Sequence, residues 1–419
     1  MPIIANQILS RYCKVRDFSR FLCRPLQPED YVIQTMADAS PTKWHLAHTT
    51  WFFEEFILNK FLPSYRVFHP RYGYLFNSYY NSVGVRHCRA KRGQLSRPTV
   101  QEVYRYRQHV DGYMDKLLGG LDETKMAQIT PLLELGLHHE QQHQELLLTD
   151  IKHVFACNPL YPVYSNKKDL SMPNSALPLK WMDFNGGIYT IGHHGGQFGF
   201  DNEFPSHQVF LKPFRAASRL VTNGEYLAFI GDGGYQRPEF WLSDAWDLVQ
   251  KEGWIAPLYW DNPDGVWFNM TLKGFLPVDP VIPVCHVSFY EANAYASWAG
   301  KRLLTESEWE AAAGPRPPEG NFVERGFFHP LAAVPSSSQL LQIFGDVWEW
   351  TASPYVGYPG YQPAKGALGE YNGKFMVNQM VLRGGSCATS QTHIRPTYRN
   401  FFVPQARWQF SGIRLGEDI

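Results

Sequence analysis

Leu132-Leu133-Glu134-Leu135-Gly136-Leu137-His138-His139-Glu140-Gln141-Gln142-His143-Gln144-Glu145-Leu146-Leu147-Leu148 reads as one long helix whose pattern runs on to Val154. His139 and His143 are four residues apart, a little over one turn, so both rings leave the same side. A metal lies near 2 Å from each ligating ring nitrogen, and this spacing can hold one directly. A helix of this kind needs facing helices, and bundles carry metals between them. The fold of the first half therefore follows from this stretch.

Upstream, Pro41 sits just before Lys43 to Lys60, where Trp44, Ala47, His48, Trp51, Phe52 and Glu55 recur at helical spacing. Thr99-Val100-Gln101-Glu102 has the form of a capping box. It opens a helix to about Leu118 that Gly119-Gly120 ends. The histidine helix starts near Pro131. With a helix near the N-terminus, residues 1–157 read as a four-helix bundle. Between Phe61 and Pro98 runs a long connection rich in tyrosine and arginine, without a clear period. A connection of that length in a compact domain usually has a function.

Residues 158–178 read as a polar, proline-rich linker. Beyond it, Gly187–Ile191 and His207–Leu211 alternate like strands. Short helices are expected from Thr222 to Ile230, from Ser288 to Gly300 and after Thr305. Residues 179–419 thus form a mixed, loop-dominated domain, and the chain as a whole is α plus mixed α/β.

The chain has 419 residues and a formal net charge of 0, which suits two domains and argues against a nucleic-acid groove. No apolar run reaches the roughly 18 residues that span a bilayer. The N-terminal stretch lacks a long apolar segment and a small-residue cleavage site, which reads against a secretory signal. Cys13, Cys23, Cys88, Cys157, Cys285 and Cys387 are scattered with no CxxC pair, as expected of reduced thiols and a cytoplasmic location. Oligomeric state is left open, and a homo-oligomer built on the bundle is compatible with the sequence.

Five blocks in the second half occur in order: Val221–Tyr226, Val287–Ala292, Lys301–Glu310, Gly345–Trp350 and Leu382–Ser386. Together they resemble the formylglycine-generating-enzyme domain, a C-type-lectin-like fold. Each block also has a packing role: Trp309, Trp348 and Trp350 as core rings, Gly384-Gly385 as a turn. Cys387 alone does not supply the cysteine pair that thiol-based oxidase use of that fold needs. Trp44–Trp51 and His138–Glu145 resemble a DinB-like bundle. The combination resembles the ergothioneine-biosynthetic sulfoxide synthase family over nearly the whole chain. That resemblance implies a non-haem iron(II) enzyme that uses O2 to join hercynine, the trimethylated histidine, to a cysteine thiol.

Spacing alone selects His139 and His143, with a third ligand from another helix. The resemblance selects His48 over His45. Three neutral imidazoles on Fe(II) leave positions open for a thiolate, an imidazole nitrogen and O2. Glu55, Glu140 and Glu145 are candidate partners for the ligands' second ring nitrogens. The resemblance gives Gln142, directly before the last ligand, a role at the substrate imidazole or the metal. It gives Asn400 the substrate's carboxylate end. Phe401 and Phe402 are candidate ring faces for the trimethylammonium group, or equally core rings. Tyr79 and Tyr80 are the candidate proton donors, matching the subclass that takes free L-cysteine. In the other subclass the catalytic tyrosine lies just before the LRGG block, and Tyr371 reads as too early for that position. Arg86, and above all Arg89, are expected to bind a substrate carboxylate, whereas Arg92 reads as solvated surface. Alternatives are γ-glutamylcysteine as donor, a related thiol or selenium synthase, a non-catalytic scaffold, and a zinc peptidase with Glu140 as base. The extended peptidase pattern wants glycine at 146 and histidine at 149, where this chain has Leu146 and Thr149.

Overall fold

The computed structural model describes residues 2–168, 173–336 and 340–419. Residues 169–172 of the expected linker lie outside the described residues. Two compact units emerge: Met1–Leu160 with Ala364–Tyr371, and Tyr161–Pro363 with Asn372–Ile419.

The first unit is built on α1 (Pro2–Cys23), α2 (Thr42–Phe53), α3 (Val100–Gly119) and α4 (Glu123–Ala156). Every residue of α2 is buried, so it is the central helix and shows no face to solvent. A π-helical turn, Glu54–Leu58, carries α2 onward. The carboxylate of Glu54 accepts from the hydroxyls of Tyr65 and Tyr106 there. On α3 the buried Val103, Tyr106, Arg107, Val110, Met114 and Leu117 recur every three or four residues. Its capping box forms as the sequence implies: Thr99 N–H donates to Glu102 at 2.7 Å and Glu102 N–H to Thr99 Oγ1 at 3.2 Å.

The histidine helix starts earlier than expected. Asp122 caps it by accepting from Lys125 N–H at 2.8 Å, and Pro131 lies inside it rather than at its start. Gly136 lets α4 approach α2. A Cβ there would lie 2.6 Å from the ring of Phe53 and 3.0 Å from that of Phe52. Beneath this contact is a buried charge network. Glu140 accepts from Arg16 at 2.8 Å, Arg107 at 2.9 Å and Ser19 at 2.6 Å. It ties α1, α3 and α4 together.

The second unit is sheet-rich. Trp181–Phe184, Phe214–Ala217, Leu415–Asp418 and Arg302–Leu303 form one antiparallel sheet in that order. Asn400–Phe402, Met380–Arg383, Trp348–Pro354 and Ser411–Gly412 form a second, its last pairing parallel. The expected strands Gly187–Ile191 and His207–Leu211 pair as an antiparallel ribbon. Thr222, Ser288 and Thr305 each close a capping box with the glutamate three residues on. The recurring blocks are packing devices, as their residue types suggest. Trp309 Nε1–H donates to Glu349 at 2.8 Å and Trp350 Nε1–H to the Val287 carbonyl at 2.9 Å. Gly384, at φ +95°, sits where a Cβ would be 2.8 Å from the Ile343 carbonyl oxygen. No helix among the described residues is long and apolar enough to cross a membrane.

Candidate metal centre

His48 of α2 and His139 and His143 of α4 come together in the first unit. One nitrogen from each lies within 4.8 Å of the others. Their ring centroids are 4.6 to 4.8 Å apart. His48 and His139 are buried and His143 is partly exposed, so the cluster has one accessible side. Burial holds all three pKa values low. His139 falls to about 3, while His48 and His143 also repel neighbouring imidazoles. The rings are therefore neutral at pH 7, the form that ligates.

The hydrogen bonding leaves lone pairs facing inward. His48 Nδ1–H donates to the Phe76 carbonyl at 2.6 Å, so its Nε2 is unprotonated in the neutral ring. That Nε2 is 3.0 Å from His139 Nε2. Two nitrogens about 2.1 Å from one ion and at right angles lie about 3.0 Å apart, so this pair fits a shared metal. His139 Nδ1 is buried with no hydrogen-bond partner. His143 Nδ1 lies 2.8 Å from His45 Nδ1, and His45 Nε2 lies 3.0 Å from Asp150 Oδ2. Trp44 and Trp51 stack on His48 from opposite directions in sequence, at 4.6 and 5.7 Å.

Two of the carboxylates expected around the ligands, Glu140 and Glu55, are committed elsewhere. Glu140 leaves α4 about 100° from His139 and both its oxygens are taken by Arg16, Arg107 and Ser19. Burial would raise its pKa, but Arg16 and Arg107 reverse this and hold it at about 2. A carboxylate so committed is no general base, which removes the peptidase alternative. Glu55 accepts from Asn59. The support for the imidazoles comes instead from the Phe76 carbonyl and from His45.

The loop after α2 encloses the cluster. It carries a short helix, Tyr72–Phe76, and a 3-10 turn, Arg89–Gln94. Trp44 Nε1–H donates to the Leu75 carbonyl at 3.1 Å. Buried Asn77 shapes the next turn, accepting from Tyr80 N–H at 3.0 Å and donating to the Tyr80 carbonyl at 2.9 Å. Tyr80 is fully buried, 4.7 Å from the ring of Tyr79. Burial, then Tyr79 and Tyr371, pushes its pKa well above the usual phenol value.

Tyr371 corrects the sequence reading. It joins this unit as part of Ala364–Tyr371 and stands 5.7 Å from the His139 ring and 6.1 Å from Tyr79. Its hydroxyl donates to the Gln142 side-chain oxygen. Glu370 fastens the segment, accepting from Asn81 N–H at 2.9 Å, Ser82 N–H at 2.9 Å and Ser82 Oγ–H at 2.6 Å. No local signal marks Tyr371, which lies 229 residues from Gln142 along the chain.

The arginines also rearrange. Arg89 and Arg86 are exposed and donate to the carbonyls of Asp38 and Ser78. Arg92, expected on the surface, is 3% exposed. It lies 3.3 Å over the Trp44 ring and donates to Ser40 Oγ at 2.9 Å. Burial and then Arg89 lower its pKa to about 8, so it still carries charge at pH 7. No carboxylate of the described residues pairs with it within 4 Å. In the second unit Asn400 accepts from its neighbour's N–H, Phe401 stacks on Tyr355 at 4.0 Å, and Phe402 meets Trp408 edge-on at 5.5 Å. All three are half-buried.

Comparison with known proteins gives a consistent result. A sulfatase-modifying factor enzyme 1-like domain matches residues 181–326 and 320–419. The chain is 34% identical to the hercynine oxygenase of Mycolicibacterium smegmatis, over 68% of this chain and 71% of that protein. It is 37% identical to the hercynine oxygenase of Mycobacterium tuberculosis, over 52% and 56%. It is 32% identical to ergothioneine biosynthesis protein 1 of Schizosaccharomyces pombe, over 52% and 27%. The match thus spans about half of the second relative and about a quarter of the third.

Proposed function

We propose that this chain, which belongs to the hercynine oxygenase family, is an O2-dependent oxidoreductase joining hercynine to the sulfur of L-cysteine as a sulfoxide. The observation that carries this reading is the cluster of three neutral imidazoles, His48, His139 and His143, with the Nε2 atoms of the buried His48 and His139 3.0 Å apart. Iron(II) held by three such imidazoles supplies open positions for substrates and one-electron chemistry with O2.

The overall balance defines what the side chains must do. The hercynine ring loses a C–H, cysteine loses its S–H, and one oxygen atom ends on sulfur. The second oxygen leaves as water, so protons must reach it. Tyr79, Tyr80 and Tyr371 are the phenols beside the cluster. A phenol's ordinary pKa, about 10, keeps it protonated at neutral pH, so each donates only to a strongly basic oxygen. Tyr371 Oη–H is held toward Gln142, and the Glu370 clamp keeps it there. Gln142 orients the hercynine imidazole. Arg92 is the buried cation for a substrate carboxylate, with Arg86 and Arg89 lending charge at the rim. Asn400, Phe401 and Phe402 remain the candidates for the far end of hercynine.

The test is anaerobic loading with Fe(II), then hercynine, L-cysteine and O2, with mass detection of products. Hercynylcysteine sulfoxide is the expected product. Its absence from metal-replete protein overturns the reading. γ-Glutamylcysteine run in parallel decides the thiol donor, because Tyr371 beside His139 means the loop tyrosines alone do not discriminate.

A further inference from the structure

The geometry points to Asp150 and His45 as a relay of positioning residues that presets the tautomer of His143, so that its Nε2 lone pair is ready for a metal. This rests on the three-imidazole reading above.

The relay starts at Asp150, buried on α4. Its Oδ2 accepts from Ser40 N–H at 2.8 Å and faces His45 Nε2 at 3.0 Å. A carboxylate only accepts, so His45 Nε2 carries the hydrogen. A neutral His45 then presents a bare Nδ1. That atom lies 2.8 Å from His143 Nδ1, and two nitrogens at this distance share one hydrogen. His143 Nδ1 must supply it. His143 Nε2 is left without a proton, which is the form a ligating imidazole needs.

Each candidate ligand is treated differently. A backbone carbonyl presets His48. Nothing presets His139 Nδ1. Only His143 is held by a chain of side chains ending in an anion. Charge on Asp150 passes through two hydrogen bonds and makes the His143 ring a stronger donor. His143 is also the most exposed of the three, so an unsupported ring there has the most freedom to turn.

Two measurements on the full-length chain test this. Two-bond proton–nitrogen spectra of the metal-free, histidine-labelled protein should show His143 as the Nδ1–H tautomer and His45 as the Nε2–H tautomer. The opposite assignment at either ring overturns the relay, whatever any variant does. Cobalt(II) titration gives the second readout. Asp150→Ala removes the acceptor that keeps the hydrogen on His45 Nε2, which frees it to move to Nδ1 against His143. Affinity should fall about 10- to 100-fold, as it should in His45→Leu. His45→Asn, whose amide oxygen can accept from His143, should stay within a few-fold of wild type. Affinity unchanged in folded Asp150→Ala and His45→Leu overturns the inference. A wild-type chain with the expected tautomers but no cobalt uptake overturns the three-imidazole reading instead.

Discussion

The two units bury polar groups in opposite ways. In the sheet-rich unit the deepest cations are paired. Arg399 meets Glu306 through two bonds of 2.9 Å, Arg414 meets Glu349 through two of 2.8 Å, and Arg383 meets Glu310. In the helical unit Glu140 is paired in the same manner. The same unit also holds the three neutral imidazoles and the buried Arg92, with which no carboxylate of the described residues pairs within 4 Å. Buried pairs of charges hold elements in register. Buried donors and acceptors left unsatisfied need something from outside the chain.

This contrast is sharpest where it is easiest to break. His139→Ala should abolish iron retention and lower turnover by about 1000-fold or more, equivalent to about 4 kcal/mol. Its melting temperature should fall only by what the lost ring packing costs, because the ring's hydrogen-bond contact is to His48, another candidate ligand. Iron stoichiometry and a thermal melt on the same sample check this. A variant that keeps its iron breaks the comparison.

Arg399→Leu should do the reverse. It leaves buried Glu306 with only the 3.7 Å contact to Arg383, at a cost of about 3 kcal/mol. Iron per folded molecule should be unchanged. Denaturant unfolding beside metal analysis gives both numbers.

Glu203→Gln should cost about 2 kcal/mol at pH 7. Glu203 accepts from Arg395 and from Thr397 Oγ1 at 2.6 Å. Burial raises its pKa, but Arg395 and these hydrogen bonds bring it below the usual carboxylate value. A carboxylate with a depressed folded pKa stabilises above its unfolded value, near 4.5. That contribution is lost as pH falls through the folded value. Wild type and variant should therefore converge in acid. A gap independent of pH would show that Glu203 acts through packing.

The smallest effect is the most informative about chemistry. Tyr371→Phe should raise the ratio of cysteine sulfinate to sulfoxide product by about tenfold, a diversion worth about 1.4 kcal/mol. Tyr79→Phe and Tyr80→Phe sharpen it by showing which phenol shares the task. An unchanged ratio in all three single variants and in the triple variant excludes a proton-donating role.

Much of the fold was legible because its signals are local. The capping boxes at Thr99 and Thr222 form as read, and the helices expected at Ser288 and Thr305 open on boxes of the same form, each with glutamate three residues on. The strands Gly187–Ile191 and His207–Leu211 have the expected bounds. Pro131 misled because Asp122 caps the same helix earlier, and the bundle holds it through the proline. The histidine pair was legible because helical spacing alone sets which rings share a face. Arg92 was misread because its loop has no period, so nothing in the sequence separates a stacked guanidinium from a solvated one.

The sequence by itself determined which side chains share a helix face, where helices start, and that two grammars of structure follow one another. Those properties depend on residues within a turn or two of each other. Tertiary structure alone decided that Tyr371 stands beside His139, that Asp150 reaches His143 through His45, and that Glu140 serves the fold. Each of these requires two distant segments to meet at hydrogen-bond or ring-contact range. Only the closed chain sets those distances.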